Sequence, residues 1–277
     1  MRAKQFRSLL FVPASRLDMA ERVQERGADA VILDLEDGVA EADRPAARNT
    51  LGSLLEGLRR KDVQVLVRLN SLDDGGALDI EAIPDVFTPP LLIPKVTEPG
   101  QVLAVEECWA SSGKELATLQ LLPMIECPRG LFRAEQIAAA TRHVSAMVFG
   151  SEDFAAEAGL STEIDALSMP AQWVALAAAA SGISAYGLPG SLGNYHDMEL
   201  FGATLRRAKT IGYSGSLCVH PKQVLLANDV FKPSEQEITW AEAVVAQSGV
   251  GGATGGDIGM VDAPVLARAR AILARSD

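Results

Sequence analysis

Eight short apolar runs recur along the chain, at 9–13, 30–35, 63–69, 91–96, 119–125, 146–149, 183–186 and 217–219. Segments with apolar residues at helical spacing lie between them, among them 45–58, 134–141, 171–180 and 200–211. Strands that alternate with helices are joined by right-handed crossovers, so this order implies a parallel sheet. Eight such strands favour an α/β fold closed as a (β/α)8 TIM barrel over an open, doubly wound sheet. The barrel domain spans 1–231 in this reading, and helices at 233–247 and 264–275 form a C-terminal helical extension over 232–277. A glycine-rich stretch at 249–256 joins those two helices. Its composition suits a lid over its own or a neighbouring site, and equally a connector before a packed terminal helix.

Composition narrows the partners. Twenty-five lysines and arginines against 36 aspartates and glutamates give a formal net charge of −11, which argues against nucleic acid or an anionic membrane surface. An anionic ligand then needs a local cluster of cations. Cys108, Cys127 and Cys218 are odd in number and widely spaced, so they suggest buried thiols, not a disulfide framework or a zinc site. Residues 1–7 lead into only a short apolar strand, and no apolar run reaches the length of a membrane span. A reduced, cytoplasmic setting is the expectation. The first strand lacks the glycine fingerprint of dinucleotide folds and no Walker pattern occurs, which disfavours nicotinamide and nucleoside-triphosphate chemistry.

The strand ends carry the candidate chemistry. The run from Ala30 to Leu35 breaks into Glu36, Asp37 and Gly38, with Asp34 inside it, and α/β enzymes build their sites at such C-terminal ends. These acids suit an active-site cluster, and also helix caps or partners for arginines. Further along, Arg16, Arg68, Lys95, Glu126, Asp153 and His220 stand where successive strands stop. Glu126 and Asp153 form the type of carboxylate pair that holds Mg²⁺, an ion that keeps several waters and takes few protein ligands. Without a histidine beside them zinc fits less well. The same two residues are also placed to cap the helix beginning at Pro128 and the one after Asp153, and spacing leaves both readings open. Arg68 can present its planar fork to a carboxylate or a polarised carbonyl, or pair internally with Glu36 or Asp37. Arg16 and Lys95 are the cations available for phosphates, Arg16 with the amide groups of a helix starting after Ser15, although both also suit solvated surface charges. His220 reads as an orienting or core histidine.

Several blocks then carry a family resemblance: Leu10-Phe11-Val12-Pro13-Ala14, Asp34-Leu35-Glu36-Asp37-Gly38-Val39, Val67-Arg68-Leu69-Asn70, Ile93-Pro94-Lys95-Val96, Met124-Ile125-Glu126, Phe149-Gly150-Ser151-Glu152-Asp153-Phe154 and Val219-His220-Pro221-Lys222-Gln223-Val224. In this order they resemble the citrate lyase beta-subunit-like proteins of the HpcH/HpaI aldolase/citrate lyase family, within the wider malyl-CoA and citramalyl-CoA lyase group. Met260-Val261-Asp262-Ala263-Pro264 resembles that family's closing block. The resemblance implies a (β/α)8 barrel, Mg²⁺ held by Glu126 and Asp153, and reversible carbon–carbon cleavage of a 3-hydroxy-dicarboxylyl-CoA thioester. It further implies catalytic roles for Glu36, Asp37, Arg68 and Asp262, and substrate or coenzyme A binding by Arg16, Arg68 and Lys95. Asp262 would sit on a mobile segment that completes an adjacent subunit's site, in a homotrimer or a multiple of it. Thioesterase or synthase activity, an acyl-carrier-protein substrate, and a non-catalytic metabolite-binding role are the alternatives. Three departures bear on substrate choice. The loop Tyr186–Ser191 lacks the aspartate common near strand seven, a common arginine is replaced within Ser168–Ala171, and Ser216 stands for a usual lysine.

Overall fold

The computed structural model describes residues 5–16, 18–19, 23–85, 87–248 and 261–275. Eight strands are present: β1 (Ser8–Pro13), β2 (Ala30–Asp34), β3 (Val65–Arg68), β4 (Leu91–Ile93), β5 (Leu121–Ile125), β6 (Ala146–Phe149), β7 (Ser184–Tyr186) and β8 (Ser216–Cys218). They pair in parallel in the order β7-β6-β5-β4-β3-β2-β1-β8. A parallel bridge between Tyr186 and Gly215 returns β7 to the residue before β8, which brings the sheet round into a nearly closed barrel. Every residue of β2 and β5 is buried, as strands covered on both faces must be, and this is why, Asp34 apart, they read as apolar runs.

Helices cover the outside. The helix Arg44–Arg60 starts with Pro45 at its first turn and buries Ala47, Leu51, Leu54, Leu55 and Leu58, the stripe that three- and four-residue spacing lays along one face. The helix Pro99–Ser111 opens on a capping box between Glu98 and Gln101. Several elements differ in extent from the sequence expectation, two of them for a plain reason. The helix Ile164–Ala180 begins well before 171, with Pro170 inside it; the burial of Leu167, Ala171, Val174 and Ala178 offsets the lost backbone donor. Conversely, β4 stops at Ile93 because Pro94 has no amide to donate and Lys95 turns left-handed, with φ 53°.

The chain divides into two compact units, Met1–Asn228 and Asp229–Asp277. The second contains the helices Glu235–Ser248 and Ala263–Leu273, which pack around Ala241, Val244, Ala269 and Ile272. The guanidinium of Arg268 lies 4.9 Å from the centre of the Trp240 ring. The glycine-rich stretch 249–256 falls outside the described residues. Among the described residues no helix is long and apolar enough to cross a membrane. Cys127 and Cys218 are free and buried, and Cys108 is free and partly exposed.

Candidate active site

Strand register assembles the first part of the site. The β2–β3 ladder sets Asp34 opposite Arg68, so the last residues of two neighbouring strands meet side by side. Arg68 donates from Nε to Asp34 Oδ1 at 2.6 Å and from Nη2 to Asp34 Oδ2 at 2.7 Å, the bidentate geometry that a guanidinium fork favours. The same carboxylate accepts from the amides of Glu36 at 3.0 Å and Gly38 at 2.8 Å. A Cβ at position 38 would fall 2.5 Å from Asp34 Oδ2, which is why glycine follows the acids. The third guanidinium nitrogen of Arg68 lies 2.9 Å from Glu36 Oε2 and 3.1 Å from Asp37 Oδ2. Burial opposes the Arg68 charge, but the Asp34 hydrogen bonds and the charges of Asp34, Glu36 and Asp37 outweigh it and keep the group protonated.

Lys95 joins this cluster to a second one. Its left-handed backbone turns its amide to Glu126, where Oε2 accepts at 2.6 Å, while its ammonium reaches Glu36 Oε1 at 2.7 Å. A non-glycine residue in this region of backbone space stores strain of about 1 kcal/mol or more, and such strain collects at functional sites. Glu126 follows β5 and Gly150 follows β6, and the register pairing Ile125 with Phe149 brings them together. A Cβ at position 150 would lie 2.5 Å from both Cγ and Oε1 of Glu126; only glycine leaves room for that carboxylate. Burial pushes the Glu126 carboxyl up to about 7, with the negative charges of Glu36 and Asp153 adding to the effect against the Lys95 amide and Arg68. Burial also raises Glu36, against the pull of Arg68 and Lys95.

The carboxylates thus form a locus with more negative charge than its cations balance. Glu36 Oε2 is buried and has no aligned hydrogen-bond donor. Among the described residues no three histidine, cysteine, aspartate or glutamate side chains converge as metal ligands. Carboxylate oxygens are the donors that suit a hard cation which keeps most of its water, as Mg²⁺ does. Asp153 is exposed in the first turn of the helix Ser151–Ala158.

Other sequence expectations resolve differently. Glu126 caps no helix: the Sγ of Cys127 accepts the amide of Gly130 at 3.3 Å and caps Pro128–Leu131. Asp153 lies inside its helix, whose N-cap is Gly150. Arg16 forms an exposed pair with Asp18, two contacts of 2.9 Å each, and most of the helix expected after Ser15 falls outside the described residues. Asp262 belongs to the second unit, where its exposed carboxylate caps Ala263–Leu273 by accepting the Val265 amide at 3.0 Å. His220 is not a core residue. It is partly exposed and stacks on Tyr195 with ring centres 4.7 Å apart.

Sequence reasoning grouped Asp34 with its neighbours but gave it no role in holding Arg68. It also passed over Gln223, fully buried, whose Oε1 accepts the amides of Val219 at 2.8 Å and His220 at 3.0 Å. The signal for Asp34 was the glycine four residues on, which lets one carboxylate collect two nearby amides.

The model of the HpcH/HpaI aldolase/citrate lyase family matches residues 7–221. The chain belongs to this family. Membership makes it an enzyme of the lyase class, and the span matched contains all eight strands of the barrel. The chain is 33% identical over 276 residues to a (3S)-malyl-CoA thioesterase of Cereibacter sphaeroides, covering 99% of this chain and 93% of that one. It is 32% identical over 269 residues to an L-malyl-CoA/beta-methylmalyl-CoA lyase of the same organism, covering 88% and 84% respectively. Among solved structures, the CitE protein of Mycobacterium tuberculosis in complex with magnesium, acetoacetate and coenzyme A superposes with a TM-score of 0.77. That likeness has 31% identity and covers 100% of this chain and 99% of the other.

Proposed function

We propose that the protein is a Mg²⁺-dependent carbon–carbon lyase that cleaves a 3-hydroxy-dicarboxylyl-CoA thioester, such as malyl-CoA or citramalyl-CoA, to acetyl-CoA and a 2-oxo acid through an enolate. The observation that carries this reading is the meeting of a buried carboxyl, Glu126, with the Arg68–Glu36 ion pair through the single residue Lys95. Glu126 and Asp153 would hold the cation, which when bound supplies positive charge to substrate oxygens. Arg68, clamped by Asp34, offers a fixed positive charge to the carboxylate or carbonyl of the substrate. Glu36, raised by burial and held between Arg68 and Lys95, is the group suited to take the alcohol proton, with Asp37 beside it. The bond between the carbinol carbon and the acyl α-carbon then breaks, its electrons pass to the thioester enolate, and a proton returns to that carbon. Lys95 and Arg16 would offer their charge to coenzyme A from ion pairs with Glu36 and Asp18. The named lyase among the relatives and the magnesium and coenzyme A in the CitE structure support the reading.

Thioester hydrolysis is the second reading, supported by the thioesterase relative, which spans nearly the whole chain. A panel of malyl-CoA, citramalyl-CoA and citryl-CoA with and without Mg²⁺ separates the two. Acetyl-CoA formed in step with a 2-oxo acid is the lyase result, and free coenzyme A with intact hydroxy acid is the thioesterase result. No turnover on the panel, from folded protein, sinks both readings for free thioesters and leaves an acyl-carrier-protein substrate or a binding role. Light scattering on the same sample tests the homotrimer or its multiple.

A further inference from the structure

The loop that follows β7 is tied down residue by residue. Ser191 Oγ donates to Glu152 Oε1 at 2.5 Å, and the Gly193 amide donates to the same oxygen at 3.3 Å. Between them, the carbonyl of Leu192 accepts from Gln223 Nε2 at 2.8 Å. The approach to this loop is also closely packed. Gly187 has φ 135°, and a Cβ there would stand 2.8 Å from the Phe149 carbonyl. At Gly190 a Cβ would lie 2.7 Å from Thr204 Cγ2. The loop is thus tied at three successive residues, with the Leu192 tie buried and the two to Glu152 at the surface.

What it holds is the first turn of the helix Ser151–Ala158. That helix has no side-chain cap at its N-terminus. Ser151 is buried with its hydroxyl unpartnered. Asp153 has an exposed side chain with no hydrogen bond or ion pair to another described residue. Glu152, between these two, is the residue of the turn whose side chain is anchored to another element. We infer that Glu152 and Ser191 form a positioning clasp which fixes the turn carrying Asp153, so that Mg²⁺ affinity in this chain depends on Ser191 although Ser191 touches neither proposed ligand. The inference rests on the proposed assignment of Glu126 and Asp153 to the cation. It also gives a role to the loop that follows β7, whose Ser191 hydroxyl holds the Glu152 carboxylate.

Calorimetric Mg²⁺ titration of the full-length protein tests it, with thermal unfolding of the metal-free protein measured alongside. Removing one hydrogen bond of this type changes an equilibrium by roughly 2- to 10-fold. Ser191→Ala and Glu152→Ala are each expected to raise the Mg²⁺ dissociation constant by that factor, and the double variant by no more than either alone. Glu152→Gln keeps an oxygen that accepts from both donors and is expected to retain wild-type affinity. Variants that lower the unfolding temperature yet bind Mg²⁺ like the wild type would overturn the clasp and leave the metal site standing. Additive losses in the double variant would also overturn it. Wild-type protein with no Mg²⁺ binding sensitive to Glu126→Gln would remove the metal site, and the clasp with it.

Discussion

Glu126→Gln should make the metal-free protein more stable at alkaline pH while abolishing its use of Mg²⁺. The carboxyl is buried, and its pKa moves from the ordinary 4.5 up to about 7. Between those values the folded protein holds a proton that the unfolded chain has released. The folded state thus binds more protons, and stability falls as pH rises through this window. A shift of about 2.5 units at about 1.36 kcal/mol each gives a full penalty of about 3 kcal/mol, reached above the folded value. At about pH 5 the unfolded carboxyl is already mostly ionised, which leaves a penalty of about 1 kcal/mol. Glutamine is neutral at every pH and can still accept the Lys95 amide. Urea unfolding in the presence of chelator should therefore show the variant gaining on the wild type by about 2 kcal/mol between about pH 5 and about pH 8.5. Saturating Mg²⁺ at the higher pH should then restore the wild type by about 2.7 kcal/mol at 100 times its dissociation constant, and should leave the variant unmoved. A difference between the two proteins that stays constant with pH would refute the assignment of Glu126 as a desolvated, proton-binding carboxyl.

Other substitutions separate packing from chemistry. Gly150→Ala places a methyl 2.5 Å from the Glu126 side chain and should cost about 1–3 kcal/mol in urea unfolding while displacing the carboxylate enough to weaken Mg²⁺ binding in calorimetry. Asp34→Asn removes the charge that clamps a buried Arg68 and should cost about 3 kcal/mol, read from the unfolding midpoint, with turnover falling further than stability alone accounts for. Asp262→Ala removes a helix cap worth about 1 kcal/mol, which limited proteolysis of the C-terminal unit should register. If Asp262 also serves the reaction, turnover falls well below what that loss explains, and unchanged turnover would confine it to the cap.

The barrel was legible because burial on both faces leaves a strong mark: eight runs of strand length, separated by helical stripes, have few other ways to close. Local backbone chemistry blurred the edges. Pro94 and the left-handed Lys95 ended β4 before its apolar run was over, and Pro170 masked the first half of a helix that packing sustains. The ionisable residues of the site were legible as types at strand ends, yet their partnerships were not, since these depend on register. Asp34 meets Arg68 because β2 and β3 align at those two residues. A slip of one position would send each side chain to the opposite face of the sheet. The same holds for Glu126 against Gly150, where the absence of a side chain is the decisive feature, and for Glu152 and Ser191, which are 39 positions apart. Spacing along the chain could suggest that Glu126 capped the next helix, because a cap is a local event. It could not show that Lys95, by turning against its backbone preference, would supply its amide to Glu126 and its ammonium to Glu36. That one residue joins the two halves of the site, its amide bonded to the residue after β5 and its ammonium to the one two places after β2.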